Sequence, residues 1–170
     1  GMSMILLRAN RDLLALAHAI GDAEVAFELE SRIKLSEQGV KWLWNDDIGA
    51  FCSRDVNTGE SSGLVTSASF LAFYGAAGTE TQHASLIGAL ERITTTAKFL
   101  LPSLEAGSRD YDHKRYWRGP VWLVVSYMVA QGLAETGHLE WAERIRQDSA
   151  QLIEESIRRS PRIGNGPGQI

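Results

Sequence analysis

The densest group of chemically capable side chains in the sequence lies between Tyr111 and Trp122. Within this segment Tyr116, Trp117 and Arg118 are consecutive, and acidic and basic side chains precede them. Flat aromatic faces cover the apolar C–H face of a pyranose, and planar guanidinium and carboxylate groups make paired hydrogen bonds to hydroxyls. The segment therefore has the composition expected of a carbohydrate-binding site.

Some of these side chains have a structural alternative. Trp117 and Trp122 are five residues apart across a predicted helix start, so at least one should point into the core. Packing is favoured for Trp122. Arg118 either binds a ligand or pairs with Asp110 or Asp112. The sequence leaves both roles of the arginine open.

Asp110 and Asp112 resemble an acid and base pair, but basic residues flank them on both sides. Loop carboxylates beside Arg109, Lys114 and Arg115 more often form solvated ion pairs. A catalytic role for the two aspartates is therefore not favoured. Asp112 stays a candidate for ligand contact.

Other chemically capable residues are scattered. The four histidines lack the close helical spacing of a zinc-binding pair, and Asp46, Asp47 and Asp55 lack a full calcium-loop pattern. Trp42 and Trp44, near a predicted helix end, are expected to be structural anchors. We therefore predict neither a metal nor a cofactor.

Composition narrows the protein class. The 170 residues are 44% hydrophobic, carry a net charge of -4 and contain one cysteine, Cys52. These values predict one globular domain, with no basic surface for nucleic acid and no internal disulfide. Arg8, Arg11 and Asp12 interrupt the apolar start too early for a signal peptide, and the longest apolar run is too short to span a membrane. The expected location is cytoplasmic.

Apolar spacing predicts six helices. Asp22 is placed to cap the second, and Pro120 to occupy the first turn of the fifth. A short extended excursion, such as a hairpin, is expected around residues 50–53, and a long loop at 98–115 leads into the aromatic segment. The predicted helices cover residues 3–20, 22–44, 64–77, 79–95, 119–135 and 139–159.

A weak repeat organises these helices into pairs. Gly21, Gly78 and Gly137, 57 and 59 residues apart, each separate an apolar or small-residue helix from an amphipathic one. Helices buried on several sides should be inner, and striped helices should face water. The fold prediction is all-α, with about three helical hairpins forming half of an (α/α)6 barrel in residues 1–160. Residues 161–170 are predicted to be a disordered tail.

The segment from Tyr116 to Trp122 resembles the Tyr-Trp-Arg-Gly-Pro-Val-Trp string of glycoside hydrolases of the processing α-glucosidase I and mannosylglycerate hydrolase kind. Weaker similarity covers residues 3–21, the turn at 44–49 and Leu101-Pro102-Ser103, so it extends over nearly the whole chain. That family folds as an (α/α)6 toroid, and this chain has room for its later half.

The resemblance implies inverting hydrolysis by two carboxyl groups about 6.5 to 9.5 Å apart. It places the acid upstream of this chain and the base on a Glu after the last helix, where residues 160–166 contain no Glu. The resemblance also implies substrate contacts by Tyr116, Trp117, Arg118, Trp122 and Asp112. We therefore expect a partial carbohydrate site that is incomplete as a catalyst alone.

Two other functions remain open. One is a noncatalytic helical module for assembly or carbohydrate binding. The other is an (α/α)-toroid sugar epimerase or isomerase, which needs His or Glu bases inside the ring. Half a ring leaves apolar helix faces uncovered at both ends, so a homodimer is the predicted assembly.

Overall fold

The computed structural model describes residues 1–159. The predicted disordered tail, residues 161–170, and the end of the predicted domain at residue 160 lie outside the described part. The helices are α1 (Met2–Ile20), α2 (Ala23–Lys41), α3 (Leu71–Tyr74), α4 (Glu80–Thr96), α5 (Leu123–Glu135) and α6 (Leu139–Arg159). A 3₁₀ turn, Ser67–Phe70, leads into α3, and two short strands, β1 (Trp44–Asn45) and β2 (Ala50–Phe51), lie between α2 and α3.

Local side-chain chemistry sets several helix ends. A carboxylate oxygen of Asp22 accepts a hydrogen bond from the Val25 N–H at 3.1 Å, so it caps α2 as predicted. At the start of α4 the Thr79 hydroxyl accepts from the Gln82 N–H, and the Gln82 side chain accepts from the Thr79 N–H. This reciprocal capping box satisfies two donors that the first helical turn leaves free.

The hairpins stack through their inner helices. Helix α1 packs on α2 and α5 packs on α6, while α3 contacts both α1 and α5. Gly132 of α5 lies against the backbone of Phe73 and Tyr74 in α3, and a Cβ at Gly132 would overlap those atoms. The missing side chain is what lets the two helices approach so closely. This row of α1, α3 and α5 confirms the predicted half of an (α/α) toroid.

Two arginines of α1 hold the C-terminal ends of the inner helices together. The Arg8 guanidinium donates to Glu135 of α5 at 2.6 Å and to the Tyr74 carbonyl at 3.4 Å, and it lies 5.0 Å from the Tyr74 ring centre. Arg11 donates to the carbonyl oxygens of Gly75 and Ala76. These bonds satisfy carbonyl groups that the short helix α3 leaves without an intrahelical partner.

The predicted extended excursion is a small hairpin. Strands β1 and β2 are antiparallel, with Trp44 opposite Phe51 and Asn45 opposite Ala50. The Asn45 side-chain oxygen accepts from the N–H groups of Asp47 and Ile48, which forms the tight connection between the strands. The hairpin buries Ala50, Phe51 and Cys52 against the core.

Three predicted helices have wrong bounds. The second ends at Lys41 instead of residue 44, because Trp44 pairs with Phe51 in the hairpin. The predicted helix over residues 64–77 is mostly replaced by the 3₁₀ turn and four residues of α3, because the Thr66 N–H bonds the Ser69 hydroxyl and the left-handed Gly63 precedes it. The predicted helix over 119–135 begins only at Leu123, because Pro120 and Val121 pair with the segment around Pro102. All three differences follow from pairing that helical spacing does not reveal.

Each end of the half ring exposes an apolar face. Successive residues turn by about 100° in an α-helix, so Leu13, Leu16 and Ile20 lie on the side of α1 opposite Leu7 and Arg11. With Val25 of α2 they form what we name the leading edge, and Leu16 and Ile20 are 61% and 77% exposed. A groove of about 290 Å³ runs along this edge.

The other exposed face, the trailing edge, consists of Tyr127 and Ala134 of α5 with Leu139 of α6. Tyr127 and Ala134 lie on the side of α5 opposite Gly132, and Tyr127 is 70% exposed. A groove of about 520 Å³ runs between the two helices here. In residues 1–159, no helix combines the length and hydropathy needed to cross a bilayer.

Candidate functional site

The aromatic segment is held by pairing between the two ends of the loop that connects α4 to α5. The Ser103 N–H donates to the Pro120 carbonyl at 3.0 Å, and the Gly119 N–H donates to the Ser103 hydroxyl at 2.9 Å. Pro102 and Val121 form an isolated antiparallel bridge beside these bonds. The pairing presents Tyr116, Trp117 and Arg118 directly ahead of the first turn of α5.

Short turns shape the loop itself. The Asp112 N–H donates to the Arg118 carbonyl at 2.9 Å, and an Asp112 side-chain oxygen accepts from the Lys114 N–H at 2.9 Å. Gly119 closes the loop where a Cβ would lie only 2.6 Å from the His113 Cα and 2.8 Å from the Asp112 carbonyl oxygen. The loop therefore requires glycine at position 119.

Three aromatic rings form a continuous cluster. The Tyr116 and Trp122 ring centres are 4.2 Å apart, those of Trp117 and Trp122 are 5.1 Å apart, and those of Tyr116 and Trp117 are 5.6 Å apart. Tyr116 and Trp117 are 66% and 60% exposed, whereas Trp122 is half-buried and packs against the core. The packing predicted for Trp122 is found, and two aromatic rings remain open to a ligand.

The charged side chains of the segment form one exposed ion pair and leave Arg118 outside it. Asp112 lies 3.7 Å from the Arg115 guanidinium, in an exposed pair. Arg118 is exposed, and among residues 1–159 its guanidinium pairs with neither Asp110 nor Asp112. Its alternative role as an ion-pair partner is therefore not found. The arginine is free to make hydrogen bonds to a ligand.

The structural role predicted for Trp42 and Trp44 agrees with their contacts. The Trp44 indole N–H donates to Asp46 at 2.8 Å, and its ring meets Phe51 edge to face at 5.0 Å. The Arg54 guanidinium lies over Trp42 at 5.2 Å. Neither indole belongs to the aromatic cluster at the start of α5.

One ion pair connects helix α6 to the start of the loop between α4 and α5. Lys98, where the loop begins, donates to Glu155 at 2.6 Å, and this bond lowers the pKa of the glutamate below its ordinary value.

Within the part of the chain that the structure describes, no group of three or more His, Cys, Asp or Glu side chains is arranged to hold a metal ion.

Two residues with a part in this geometry are absent from the predicted site. The sequence indicates Ser103 only as part of a resemblance, and Asp148 of α6 not at all, although both are buried. Asp148 has a recognisable signal, because an acidic residue interrupts the apolar stripe of Ile145 and Leu152. The Leu100 N–H, which donates to an Asp148 side-chain oxygen at 2.9 Å, has no such signal in the sequence.

Paired helices with an inner row, and an aromatic cluster at the start of the third inner helix, define this chain as part of an (α/α) toroid of the glycoside hydrolase class. The family model described as the mannosylglycerate hydrolase MGH1-like glycoside hydrolase domain matches residues 1–161. The chain therefore belongs to this family. The family match supports the hydrolase class over the epimerase or isomerase alternative.

Individual relatives agree with this assignment. Mannosylglycerate hydrolase of Thermus thermophilus is 40% identical over 173 residues, which is 99% of this chain and 41% of the relative. Mannosylglycerate hydrolase MGH1 of Selaginella moellendorffii is 32% identical over 149 residues, covering 88% of this chain and 30% of the relative.

A solved structure shows the same arrangement of helices. The crystal structure of GH63 mannosylglycerate hydrolase from Thermus thermophilus, in complex with glucose, superposes with a TM-score of 0.86 at 37% identity. The match covers 91% of this chain and 39% of that structure. The same enzyme has been solved with Tris and D-glycerate. The chain thus spans about two fifths of the length of these Thermus proteins.

Proposed function

We propose that this chain is the carbohydrate-binding half ring of a mannosylglycerate hydrolase-like glycoside hydrolase, with its ligand site at the start of α5. The observation that carries the proposal is the exposed pair Tyr116 and Trp117 packed on the half-buried Trp122. An open aromatic surface on a supported ring is what a pyranose face needs, since each aromatic contact removes apolar C–H surface from water.

The polar residues around the aromatic surface complete the proposed site. Arg118 provides a planar set of N–H donors for hydroxyl or carboxylate oxygens. Asp112 accepts the Lys114 N–H through one oxygen and has its other oxygen 3.7 Å from Arg115, so part of its acceptor capacity remains for a sugar hydroxyl. In this arrangement Trp117 and Tyr116 provide contact area, and Arg118 and Asp112 provide orientation.

The proposed ligand class is a hexose, free or joined to glycerate. Support comes from relatives that are named mannosylglycerate hydrolases and from the related Thermus enzyme, whose structures contain glucose or D-glycerate. A cationic group next to aromatic rings suits a ligand that combines a sugar ring with a carboxylate.

We propose that residues 1–160 form one domain that binds without hydrolysing. Inverting hydrolysis requires an acid and a base about 6.5 to 9.5 Å apart with room for a water between them. Among the described residues, the loop between α4 and α5 contains three acidic side chains, Glu105, Asp110 and Asp112. Glu105 lies 3.7 Å from the Arg92 guanidinium, and Asp112 already holds the turn through Lys114. An acid and a base at the required spacing are therefore not expected in this loop.

The assembly that we propose is a homodimer in the cytoplasm, where the free, buried thiol of Cys52 is expected to stay reduced. The leading and trailing edges expose apolar side chains on opposite sides of the inner row. A second copy related by a two-fold axis would seat each leading edge on a trailing edge and close the ring. Contiguous apolar faces of this kind are uncommon on isolated soluble monomers.

Calorimetric titration tests the proposed site. D-glucose, D-mannose and D-glycerate are titrated into the wild-type protein, Trp117→Ala and the matched control Trp42→Ala, whose indole is 50% exposed outside the motif. We expect Trp117→Ala to weaken hexose binding by about tenfold or more, as loss of an aromatic contact predicts, and Trp42→Ala to leave it unchanged.

Two results would contradict this function. Equal affinities for the two tryptophan variants would show that the cluster is not the binding surface. Turnover of mannosylglycerate above a buffer control, abolished by Asp110→Asn, would show that the chain contains its own catalytic carboxylates.

A further inference from the structure

The aromatic cluster is connected to helix α6 by a buried carboxylate. Asp148 is 8% exposed, and both of its oxygens accept hydrogen bonds. One accepts from the Leu100 N–H at 2.9 Å and the other from the Arg144 Nε at 3.0 Å. The first of these bonds fixes the backbone at the point where the loop leaves Lys98 and enters the core.

The next residue is held in an unfavourable backbone conformation. Leu101 has φ of 60°, in the left-handed region, although its side chain is fully buried. A branched side chain adopts this conformation only where the surroundings impose it. Asp148 holds the residue before Leu101, and the bridge between Pro102 and Val121 holds the residue after it.

Ser103 connects this constrained backbone to the segment from Tyr116 to Trp122. Its side chain is 3% exposed, its hydroxyl accepts from the Gly119 N–H, and its own N–H donates to the Pro120 carbonyl. Gly119 and Pro120 lie between Arg118 and Trp122, so these two bonds set the distance between the exposed and the half-buried parts of the aromatic cluster.

We infer that Asp148 and Ser103 are positioning residues for the aromatic cluster of Tyr116, Trp117 and Trp122. A buried carboxylate costs desolvation free energy, and an apolar residue on the same stripe between Ile145 and Leu152 would pack without that cost. The carboxylate at position 148 instead fixes Leu100, and through Ser103 it fixes the geometry of the rings. The binding arm of this inference rests on the proposed function.

Circular dichroism tests the geometry without any ligand. Closely spaced indoles couple their transitions, so Trp117 and Trp122, with ring centres 5.1 Å apart, should give an exciton couplet in the far ultraviolet. We expect Ser103→Ala and Asp148→Ala to lose most of this couplet while the helical signal is retained. Asp148→Asn should keep it, because the amide oxygen still accepts from the Leu100 N–H.

Matched controls separate positioning from general loss of stability. Ser108→Ala removes a hydroxyl from the same loop, where its only hydrogen bond to a neighbouring N–H is long, 3.4 Å. Glu143→Gln alters an exposed ion pair on the same helix as Asp148. Both controls should keep the couplet and the hexose affinity of the wild type.

The affinity for D-mannose forms the second arm of the test. Ser103→Ala and Asp148→Ala should weaken it by about fivefold, with Asp148→Asn near wild type. An unchanged couplet in Ser103→Ala overturns the inference, even if Asp148→Ala fails to fold. A couplet that disappears in the variants, with no hexose binding by any protein including the wild type, supports the positioning role and overturns only the proposed function.

Discussion

The indole N–H of Trp122 donates a hydrogen bond to the backbone carbonyl of Tyr116 at 3.0 Å. This bond connects the residue that precedes α5 to the exposed part of the loop between α4 and α5. Because Trp122 is half-buried and packs on the core, its ring anchors the loop as well as forming part of the aromatic surface. Its two neighbouring rings, those of Tyr116 and Trp117, lack such an anchor and face solvent.

The first prediction separates the two tryptophans of the motif. Trp122→Ala should lower the free energy of unfolding by about 2 kcal/mol, less than the roughly 3 to 5 kcal/mol of a fully buried aromatic residue because this ring is half-buried. Trp117→Ala, at an exposed position, should change it by less than about 0.5 kcal/mol. Urea denaturation measures both values, and equal effects would contradict the assignment.

The conservative variant Trp122→Phe isolates the hydrogen bond to Tyr116. It keeps an aromatic ring against the core and removes the indole N–H, so the free energy of unfolding should fall by about 1 kcal/mol. A loss of hexose-binding free energy larger than the loss of unfolding free energy would show that the bond positions Tyr116.

The second prediction concerns the contact between α3 and α5. Gly132→Ala places a Cβ on the backbone of Phe73 and Tyr74, and neither backbone can move without separating the inner helices. We expect the free energy of unfolding to fall by about 2 to 3 kcal/mol. Gly88→Ala in α4, where the new methyl group meets nothing within 4 Å, should instead stabilise by about 0.5 to 1 kcal/mol. The opposite signs are the test, measured by thermal melting.

The third prediction is a pH dependence set by Arg8. Its hydrogen bond holds the pKa of Glu135 below the ordinary value of 4.5. A lowered acid pKa contributes stability that is fully present above pH 4.5 and is lost as the pH falls through the folded value. Since Glu135 is half exposed, solvent screening limits the part of the loss in Arg8→Ala that comes from this pair to about 1 kcal/mol at neutral pH. The lost contacts with Tyr74 add a part that does not depend on pH. The gap between wild type and variant should narrow as the pH falls below the ordinary glutamate pKa.

An exposed ion pair provides the control. Arg146 lowers the pKa of Glu143 through a side-chain hydrogen bond, but both groups are open to solvent, where water and salt screen the pair. Arg146→Ala should therefore change the free energy of unfolding much less than Arg8→Ala does at every pH. Denaturant titrations of both arginine variants from acid to neutral pH measure the two free energies of unfolding. They show whether Arg8, which contacts α3 and α5, contributes more stability than Arg146.

The fourth prediction concerns the only cysteine. Cys52 follows β2, is 3% exposed, and has its pKa raised by burial, so its thiolate is scarce and shielded at neutral pH. A thiol reagent should react slowly with the folded protein and rapidly in denaturant. In a Cys52→Ala background, Ser53→Cys places the thiol at the exposed neighbour and should react rapidly without denaturant. Rapid labelling of native Cys52 would show that the hairpin is not packed as described.

The parts of the fold that local patterns determine agree with the sequence predictions. Helix α6 has the predicted bounds because its polar and apolar faces differ strongly, and the start of α4 follows from the capping residues Thr79 and Gln82. The predicted second inner helix, over residues 64–77, is too long because small residues such as Ser67 and Ser69 fit helix and turn equally well. Their hydroxyl bonds decide the outcome, and these depend on conformation.

The candidate site shows the same division. Tyr116, Trp117 and Arg118 are consecutive, so their common surface is readable from the chain. The bonds that hold this surface connect Ser103 to Gly119 and Asp148 to Leu100, 16 and 48 residues apart. Hydrogen bonds between such distant segments leave no periodic pattern. The late start of α5 has the same cause.

The last prediction concerns assembly. At micromolar concentration, size exclusion with light scattering should give a single species of twice 18.7 kDa. Leu16→Asp on the leading edge and Tyr127→Asp on the trailing edge should each yield monomers, because a buried, unpaired carboxylate is costly. Val56→Asp, at an 87% exposed position outside both edges, should leave the dimer intact. A single species near 18.7 kDa for the wild type would refute the dimer.

Mixing the two monomeric variants distinguishes a closed ring from other dimers. In a two-fold ring, both interfaces pair a leading edge with a trailing edge. A mixed dimer of Leu16→Asp and Tyr127→Asp then has both substitutions in one interface and an entirely native second interface. Mixing should therefore restore a dimer that neither variant forms alone. A dimer built from two leading edges would be lost in Leu16→Asp, kept in Tyr127→Asp and never restored by mixing, and that pattern would exclude the ring.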